Sequence, residues 1–139
     1  MDRKLKPFNI EFVLSEYPEL RSKGIKFYYD VETKRETKRL LSYFKEKQIK
    51  KRLRLIIFNI LDHGYHENFY KNLSGFNSIA EMIFPRSLKH LRIYCKEFSQ
   101  NGKKIVMITT IKKDFNSIKD NKPLRDKLTR IDKTYNYKF

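Results

Sequence analysis

The stretch Leu91-Arg92-Ile93-Tyr94-Cys95-Lys96-Glu97-Phe98-Ser99-Gln100-Asn101-Gly102-Lys103-Lys104-Ile105-Val106-Met107-Ile108-Thr109-Thr110-Ile111 decides the fold. From Leu91 to Phe98 the residues alternate. Leu91, Ile93 and Cys95 fall on one side and Arg92, Tyr94 and Lys96 on the other, the period of two of a β-strand. Ser99-Gln100-Asn101-Gly102 ends in Asn-Gly, the pair that best tolerates the positive φ angles of a two-residue hairpin turn. Lys104–Ile111 then returns as a run of β-branched residues, a second strand. Just upstream, Ser78–Phe84 is a short apolar run halted by Pro85. It adds a third strand, so the second half of the chain reads as an antiparallel meander.

Working toward the N-terminus, Asn68–Asn77 reads as a polar, Gly-containing loop. Before it, Leu53, Ile56, Ile57, Ile60 and Leu61 recur at helical spacing, with Gly64 placed to end a helix that begins near Ile49. Thr33-Lys34-Arg35-Glu36 matches a capping box, and Leu40, Leu41 and Phe44 supply the apolar stripe of a helix that follows it. These two helices form a hairpin. Ile25–Tyr29, β-branched and aromatic, is a strand leading into them. At the other end, Pro123 fits a first helical turn and Leu124, Leu128, Ile131 and Tyr135 continue at spacings of four, three and four. The expected order is β-α-α-β-β-β-α. That is an α+β domain over residues 25–139, with a strand and a helical hairpin packed on one face of the meander. Residues 1–24 are an N-terminal extension with a possible extra strand at Phe8–Leu14 and a turn at Tyr17-Pro18.

Charge narrows the function classes. Thirty-two Lys and Arg against 16 Asp and Glu leave the chain at +16. A polyanion gains by neutralising such a surface, because each phosphate contact releases condensed counterions. An acidic protein or an anionic membrane can use the same field, and charge does not separate an enzyme from a binder. One cysteine, Cys95, excludes an internal disulfide framework and a multi-cysteine zinc site. Its apolar strand context marks a buried thiol. No run approaches the ~18 apolar residues of a membrane span, and Met1-Asp2-Arg3-Lys4 is followed by no apolar leader segment. The expectation is a cytoplasmic protein with no membrane partner.

Metal-dependent phosphodiester hydrolysis needs clustered carboxylates. Glu32-Thr33-Lys34 and Glu36-Thr37-Lys38 resemble the relevant short string, but they sit at a helix start without an acidic strand partner. His63 and His66 lack a third ligand. No metal and no cofactor are expected. RNA can also be cut without metal: the 2′-hydroxyl attacks the adjacent phosphate while protein groups move two protons and stabilise the phosphorane. In an antiparallel meander the start of one strand lies beside the end of the next, which puts Arg92 near Lys112 and Lys113. Arg86, Lys89 and His90 precede Arg92, while Tyr94 and Lys96 share its face. A phosphate cradle and an ordinary solvated sheet face both fit this pattern.

Phe69-Tyr70-Lys71-Asn72-Leu73-Ser74-Gly75, Ser78-Ile79-Ala80-Glu81-Met82, Leu91-Arg92-Ile93-Tyr94 and Val106 to Lys113 resemble, in this order, the motifs of HigB-like members of the RelE/ParE toxin superfamily. With the helical hairpin the resemblance runs from about Ile25 to Asn136. It implies a type II toxin: an endoribonuclease that cuts messenger RNA on the ribosome and is restrained by a cognate antitoxin, often one with a helix-turn-helix. It further implies that Arg92 contacts the scissile phosphate, that Lys112 and Lys113 add cationic stabilisation, and that Lys71 holds the RNA backbone. His90 is the expected proton-transfer group, with Tyr94, Tyr135 and Tyr137 as alternatives. Arg86, Lys89, Tyr94 and Lys96 are the expected further RNA contacts. The chain departs from the pattern at three places. Ala80-Glu81-Met82 replaces a lysine-bearing strand, Leu91 replaces an aromatic residue, and Asp114-Phe115 stands where a catalytic Tyr or His is usual. Those departures keep two alternatives open, an inert member of the fold and a ParE-like gyrase inhibitor.

Overall fold

The Asn-Gly turn forms as its residues require: Asn101 and Gly102 both lie at positive φ, 52° and 76°. The computed structural model describes residues 2–30, 34–113 and 121–138. Their elements are β1 (Asp2–Pro7), α1 (Glu11–Leu14), a 3-10 segment (Pro18–Lys23), β2 (Lys26–Asp30), α2 (Lys34–Phe44) and α3 (Lys47–Asp62). There follow β3 (Tyr70–Asn72), β4 (Ile79–Ile83), a 3-10 turn (Arg86–Leu88), β5 (Arg92–Gln100), β6 (Lys103–Lys112), α4 (Lys122–Lys133) and β7 (Asn136–Lys138). The seven strands form one mixed sheet in the order β3-β4-β5-β6-β2-β1-β7. β3 to β6 make the antiparallel meander, and β2 joins it parallel to β6. The fold is α+β.

Three expectations about single elements change. The extra N-terminal strand is Asp2–Pro7, while Glu11–Leu14, in the stretch expected to be that strand, is a helical turn. The Asn9 side chain accepts the Glu11 N–H at 2.8 Å and starts that turn, and Val13 and Ile10 close it into the main core beside Leu20 and Phe27. Residues 70–72, read as loop, pair with β4 as a short edge strand. Tyr135, expected in the last helix, follows its cap at Thr134 and leads into β7, which pairs parallel to β1. The Thr33 cap lies outside the described residues. The other helix end behaves as expected: Gly64, φ 87°, donates to the carbonyls of Asn59 and Ile60.

The helices also divide between the two faces of the sheet. The α2–α3 hairpin covers one, where Leu53, Ile56, Ile57 and Ile60 meet Met82, Ile93, Cys95, Val106 and Ile111. On the other, α4 lays Leu124, Leu128 and Ile131 on Ile79, Tyr94 and Met107. Helices were expected on one side only. Tyr94 and Met107 make the second face too apolar to leave in water, since each fully buried side chain of this size is worth about 1.5–3 kcal/mol. A β-bulge makes the two faces compatible. Tyr94 pairs with Thr110 and Cys95 with Ile108, which leaves Thr109 as the extra residue on β6. Ile108 and Ile111 are three apart and would otherwise point to opposite sides; the bulge lets both face the helical hairpin.

Candidate catalytic and anion-binding site

At the end of the sheet where β4 finishes, the register lines up one row of polar side chains on the α4 side. Lys71 pairs with Glu81, Glu81 with Tyr94, and Tyr94 with Thr110. The neighbouring row pairs Ile83 with Arg92 and Arg92 with Lys112. Opposed residues of an antiparallel pair hold their Cβ atoms about 4.5–5.5 Å apart, so these side chains converge because of pairing alone.

Glu81 is the centre. Its side chain is only 5% exposed, with Oε1 3.8 Å from Lys71 Nζ and Oε2 3.8 Å from Arg92 Nε. Oε2 accepts no hydrogen bond. Burial pushes the Glu81 carboxyl above its ordinary pKa, and the charges of Arg92 and Lys71 offset only part of that. Burial, with the Glu81 charge added, likewise raises the phenol of Tyr94, against the opposing pull of Arg92. The Tyr94 hydroxyl is buried without a hydrogen-bond partner. A carboxyl that holds its proton more readily than usual, set between two cations, is suited to proton transfer beside a charged phosphate.

Arg92 is held rather than loose. Its Nη1 donates to the carbonyls of Phe84 and Leu91, 3.1 Å each, and the side chain is 14% exposed. From α3, Arg52 approaches the same strand end. It donates to the Ile83 carbonyl from Nε at 3.1 Å and Nη2 at 2.9 Å, and to the Asn68 carbonyl at 2.6 Å. Burial and the Arg92 charge both lower the Arg52 pKa, so two guanidinium groups grip consecutive residues of one strand end.

The structure brings Arg92 and Lys112 together as direct register partners, with Lys113 exposed just beyond. Lys71 and Tyr94 share the Glu81 row, although Tyr94 is fully buried and offers RNA no surface. His90 lies two residues before Arg92, half-buried, with φ 46°; Lys89 before it has φ 59°. Two successive non-glycine residues in the left-handed region store strain, a feature that concentrates at functional sites. Arg86 is exposed in the adjoining 3-10 turn.

Two expected RNA contacts lie elsewhere. Lys89 pairs with Glu46 at 3.3 Å near the α2–α3 junction and sits 5.7 Å from the Tyr43 ring. Lys96 donates to Ser78 Oγ at 2.9 Å and to the Asp132 carbonyl at 2.8 Å, fastening α4 to the sheet. Period two placed Lys96 on the right face, but α4 covers that face. Glu81 and Arg52 are site residues that the pattern reading left out. The available signal for Glu81 was a lone charge inside the apolar run Ile79-Ala80-Glu81-Met82-Ile83. Arg52 carried none, being one of several basic residues in the first turns of its helix.

Of the two histidines weighed for metal, His63 pairs with Asp62 at 2.9 Å and His66 Nδ1 accepts the Asn68 N–H at 3.1 Å. Among the described residues no group of three or more His, Cys, Asp or Glu side chains could hold a metal ion, and no helix is long and apolar enough to cross a membrane. Comparison with protein families, curated proteins and solved structures finds no match to this chain.

Proposed function

We propose that this protein is a metal-independent endoribonuclease acting on messenger RNA, the toxin of a type II toxin–antitoxin system with a RelE-like fold. The observation that carries the reading is the buried Glu81 carboxylate held 3.8 Å from both Arg92 and Lys71, one row from the Arg92–Lys112 pair. The strand, helical hairpin and meander from 26 to 112 support the same reading.

In this mechanism Glu81 takes the proton of the 2′-hydroxyl as its oxygen bonds to phosphorus. Arg92 and Lys112 stabilise the charge of the phosphorane. The bond to the 5′ oxygen breaks, and that oxygen receives a proton from His90, with Lys113 beside it. The products are a 2′,3′-cyclic phosphate and a 5′-hydroxyl. Lys71, 49% exposed against 14% for Arg92, is the side from which substrate reaches Glu81. In the cytoplasm an antitoxin would cover this end of the sheet, and the ribosome would present the RNA.

The test is cleavage of a labelled RNA by purified protein in strong chelator. Wild type should cut, and Glu81→Gln should cut about 100- to 10,000-fold more slowly, the range general-base removal costs. Loss of cleavage in chelator would return the problem to metal chemistry, and an unimpaired Glu81→Gln would remove Glu81 from it. A second reading, an inert member of the fold that binds nucleic acid or a protein, is favoured by one observation: Arg92 already donates to two backbone carbonyls. It predicts RNA binding with no cleavage in any condition.

A further inference from the structure

The core uses only part of the apolar stripe of α2. Leu40 is 3% exposed, whereas Leu41 is 42% exposed. Successive residues of a helix point about 100° apart, so turning Leu40 to the core leaves Leu41 outside it. Leu41 and Phe44, three apart and therefore neighbours on the helix surface, line a groove of about 360 Å³. Phe8 and, from α1, Phe12 line it too, and Leu53 of α3, fully buried, is its deepest lining residue. The three phenylalanines are half-buried. The rings of Phe8 and Phe44 are in contact, their centres 5.3 Å apart.

The charge around these carbon surfaces has one sign. Lys45 and Lys50, both exposed, line the groove with the neutral Asn9, and no carboxylate does. Lys50 Nζ stands 5.3 Å from the centre of the Phe12 ring, so a cation lies against the apolar surface itself. Carboxylates close by in the chain are engaged by other cations: Glu11 by Arg21, Glu16 by Arg54 and Glu46 by Lys89. Apolar walls flanked by two lysines complement a segment with apolar side chains on one side and carboxylates beside them. A second copy of the chain fits poorly, since each copy carries +16 and association brings like charges together. A groove also receives inserted side chains, whereas a bilayer takes up apolar groups that project from a surface.

We propose that this groove docks an acidic amphipathic segment of a partner protein, with its apolar side chains against Phe12 and Leu41 and its carboxylates against Lys45 and Lys50. The groove is built by α1, α2 and α3 and shares no residue with the Glu81 row. The inference therefore goes beyond the ribonuclease reading and does not rest on it.

The test measures, by fluorescence anisotropy, binding of the full chain to a labelled synthetic helical peptide that carries Leu along one face and Glu elsewhere. Its control is a peptide of the same composition with the Leu residues dispersed around the helix. Wild type should bind the first about tenfold more tightly, as burying an exposed leucine would give. Leu41→Gln should abolish that preference. The double variant Lys45→Glu, Lys50→Glu alters only exposed side chains, and it decides the matter should Leu41→Gln fail to fold. It should weaken the amphipathic peptide about tenfold and flatten the salt dependence of binding. Arg125→Glu, Lys133→Glu makes the same change of charge on α4, across the sheet, and should weaken it far less. Equal affinity for the two peptides would overturn the proposal, because charge alone would then account for binding. A preference that survives Leu41→Gln, or an equal loss in the two charge variants, would overturn it as well. A wild-type dimer in light scattering that Leu41→Gln turns into a monomer would overturn it in favour of a second copy. Binding to phosphatidylglycerol vesicles that Leu41→Gln abolishes, with no preference between the peptides, would overturn it in favour of a membrane. A chain that cuts no RNA yet shows the peptide preference and its loss would sink the ribonuclease reading and leave the docking groove standing.

Discussion

The two faces of the sheet solve different problems. Under the α2–α3 hairpin the contacts are almost wholly apolar: Leu53, Ile56, Ile57, Ile93, Cys95 and Val106 are buried to 0% exposure. Under α4 the apolar contact is a smaller patch, and charged or hydroxyl groups surround it. Buried Glu81, Asp30, Thr109, Thr110 and Asp132 all border this side. So do atoms that make no hydrogen bond: Arg3 Nε, Glu81 Oε2 and the hydroxyls of Tyr94 and Tyr137. A buried polar atom without a partner costs about 1–3 kcal/mol. The lesson is one of division: the first face supplies stability, which lets the second hold poorly satisfied polar groups that a ligand can engage.

The largest expected effect breaks the first face. Ile57→Ala should cost about 2–5 kcal/mol, the usual result of emptying a fully buried aliphatic site. Urea unfolding at constant m-value would read it, and a loss below 1 kcal/mol would show that this face is not the main source of stability.

Next comes the clamp that ties α4 to β4. Asp132 accepts from the Asn77 N–H, the Ser78 N–H and the Ser78 hydroxyl at 2.9, 2.9 and 2.6 Å. Asp132→Ala should cost about 1–3 kcal/mol. Burial alone would raise the Asp132 pKa, but the bonds from Ser78 and Asn77 and the charge of Lys96 hold it below the ordinary value of 3.8. Its contribution to stability is therefore complete above that value and lost as the pH falls through the lowered one. Urea unfolding from pH 7 downward should show an acid-limb loss in wild type that Asp132→Asn reduces.

Glu81 should behave in the opposite sense on the same face. Its pKa is raised above 4.5. The stabilising contribution of its protonated form is thus full below that value and lost as the pH rises through the raised one. At neutral pH, Glu81→Gln should leave stability unchanged or increase it by under about 1 kcal/mol while removing cleavage. A marked destabilisation at pH 7 would make the Glu81–Arg92 pair a structural element instead.

The smallest stability effect sharpens the comparison from outside. Lys113 is exposed beyond β6, and Lys113→Ala should change stability by less than about 0.5 kcal/mol. It should still reduce the salt slope of RNA binding by about one. An unchanged slope would take Lys113 out of the phosphate path.

Legibility followed the range of the interactions. Elements set by neighbours in sequence were readable: the Asn101-Gly102 hairpin, the Leu53–Leu61 stripe and the Gly64 stop. That Lys112 lies near Arg92 was readable too, because the start of one antiparallel strand lies beside the end of the next; that it stands directly opposite was not, since the hairpin register alone pairs Arg92 with Ile111 and the bulge at Thr109 shifts the pairing by one. β1 was not. Asp2-Arg3-Lys4-Leu5-Lys6-Pro7 reads as a charged tail until β2 and β7 offer it partners, and Asp30 neutralises Arg3 inside the fold. β7 is invisible for the same reason. Period two puts Lys96 on the same face as Arg92, but it reports only the face on which a side chain lies and nothing about what covers it, here α4.

By itself the sequence determined the meander, the helical hairpin, the terminal helix and the excess of positive charge, all properties of local pattern or simple sums. Only the tertiary structure decided that α4 covers the second face, that Glu81 lies buried between Arg92 and Lys71, and that a bulge at Thr109 helps line a cavity with residues from both ends of the chain. Those outcomes depend on long-range pairing and burial. A carboxylate acquires an altered pKa, and a cluster of cations a common cavity, only once distant strands have excluded the water between them.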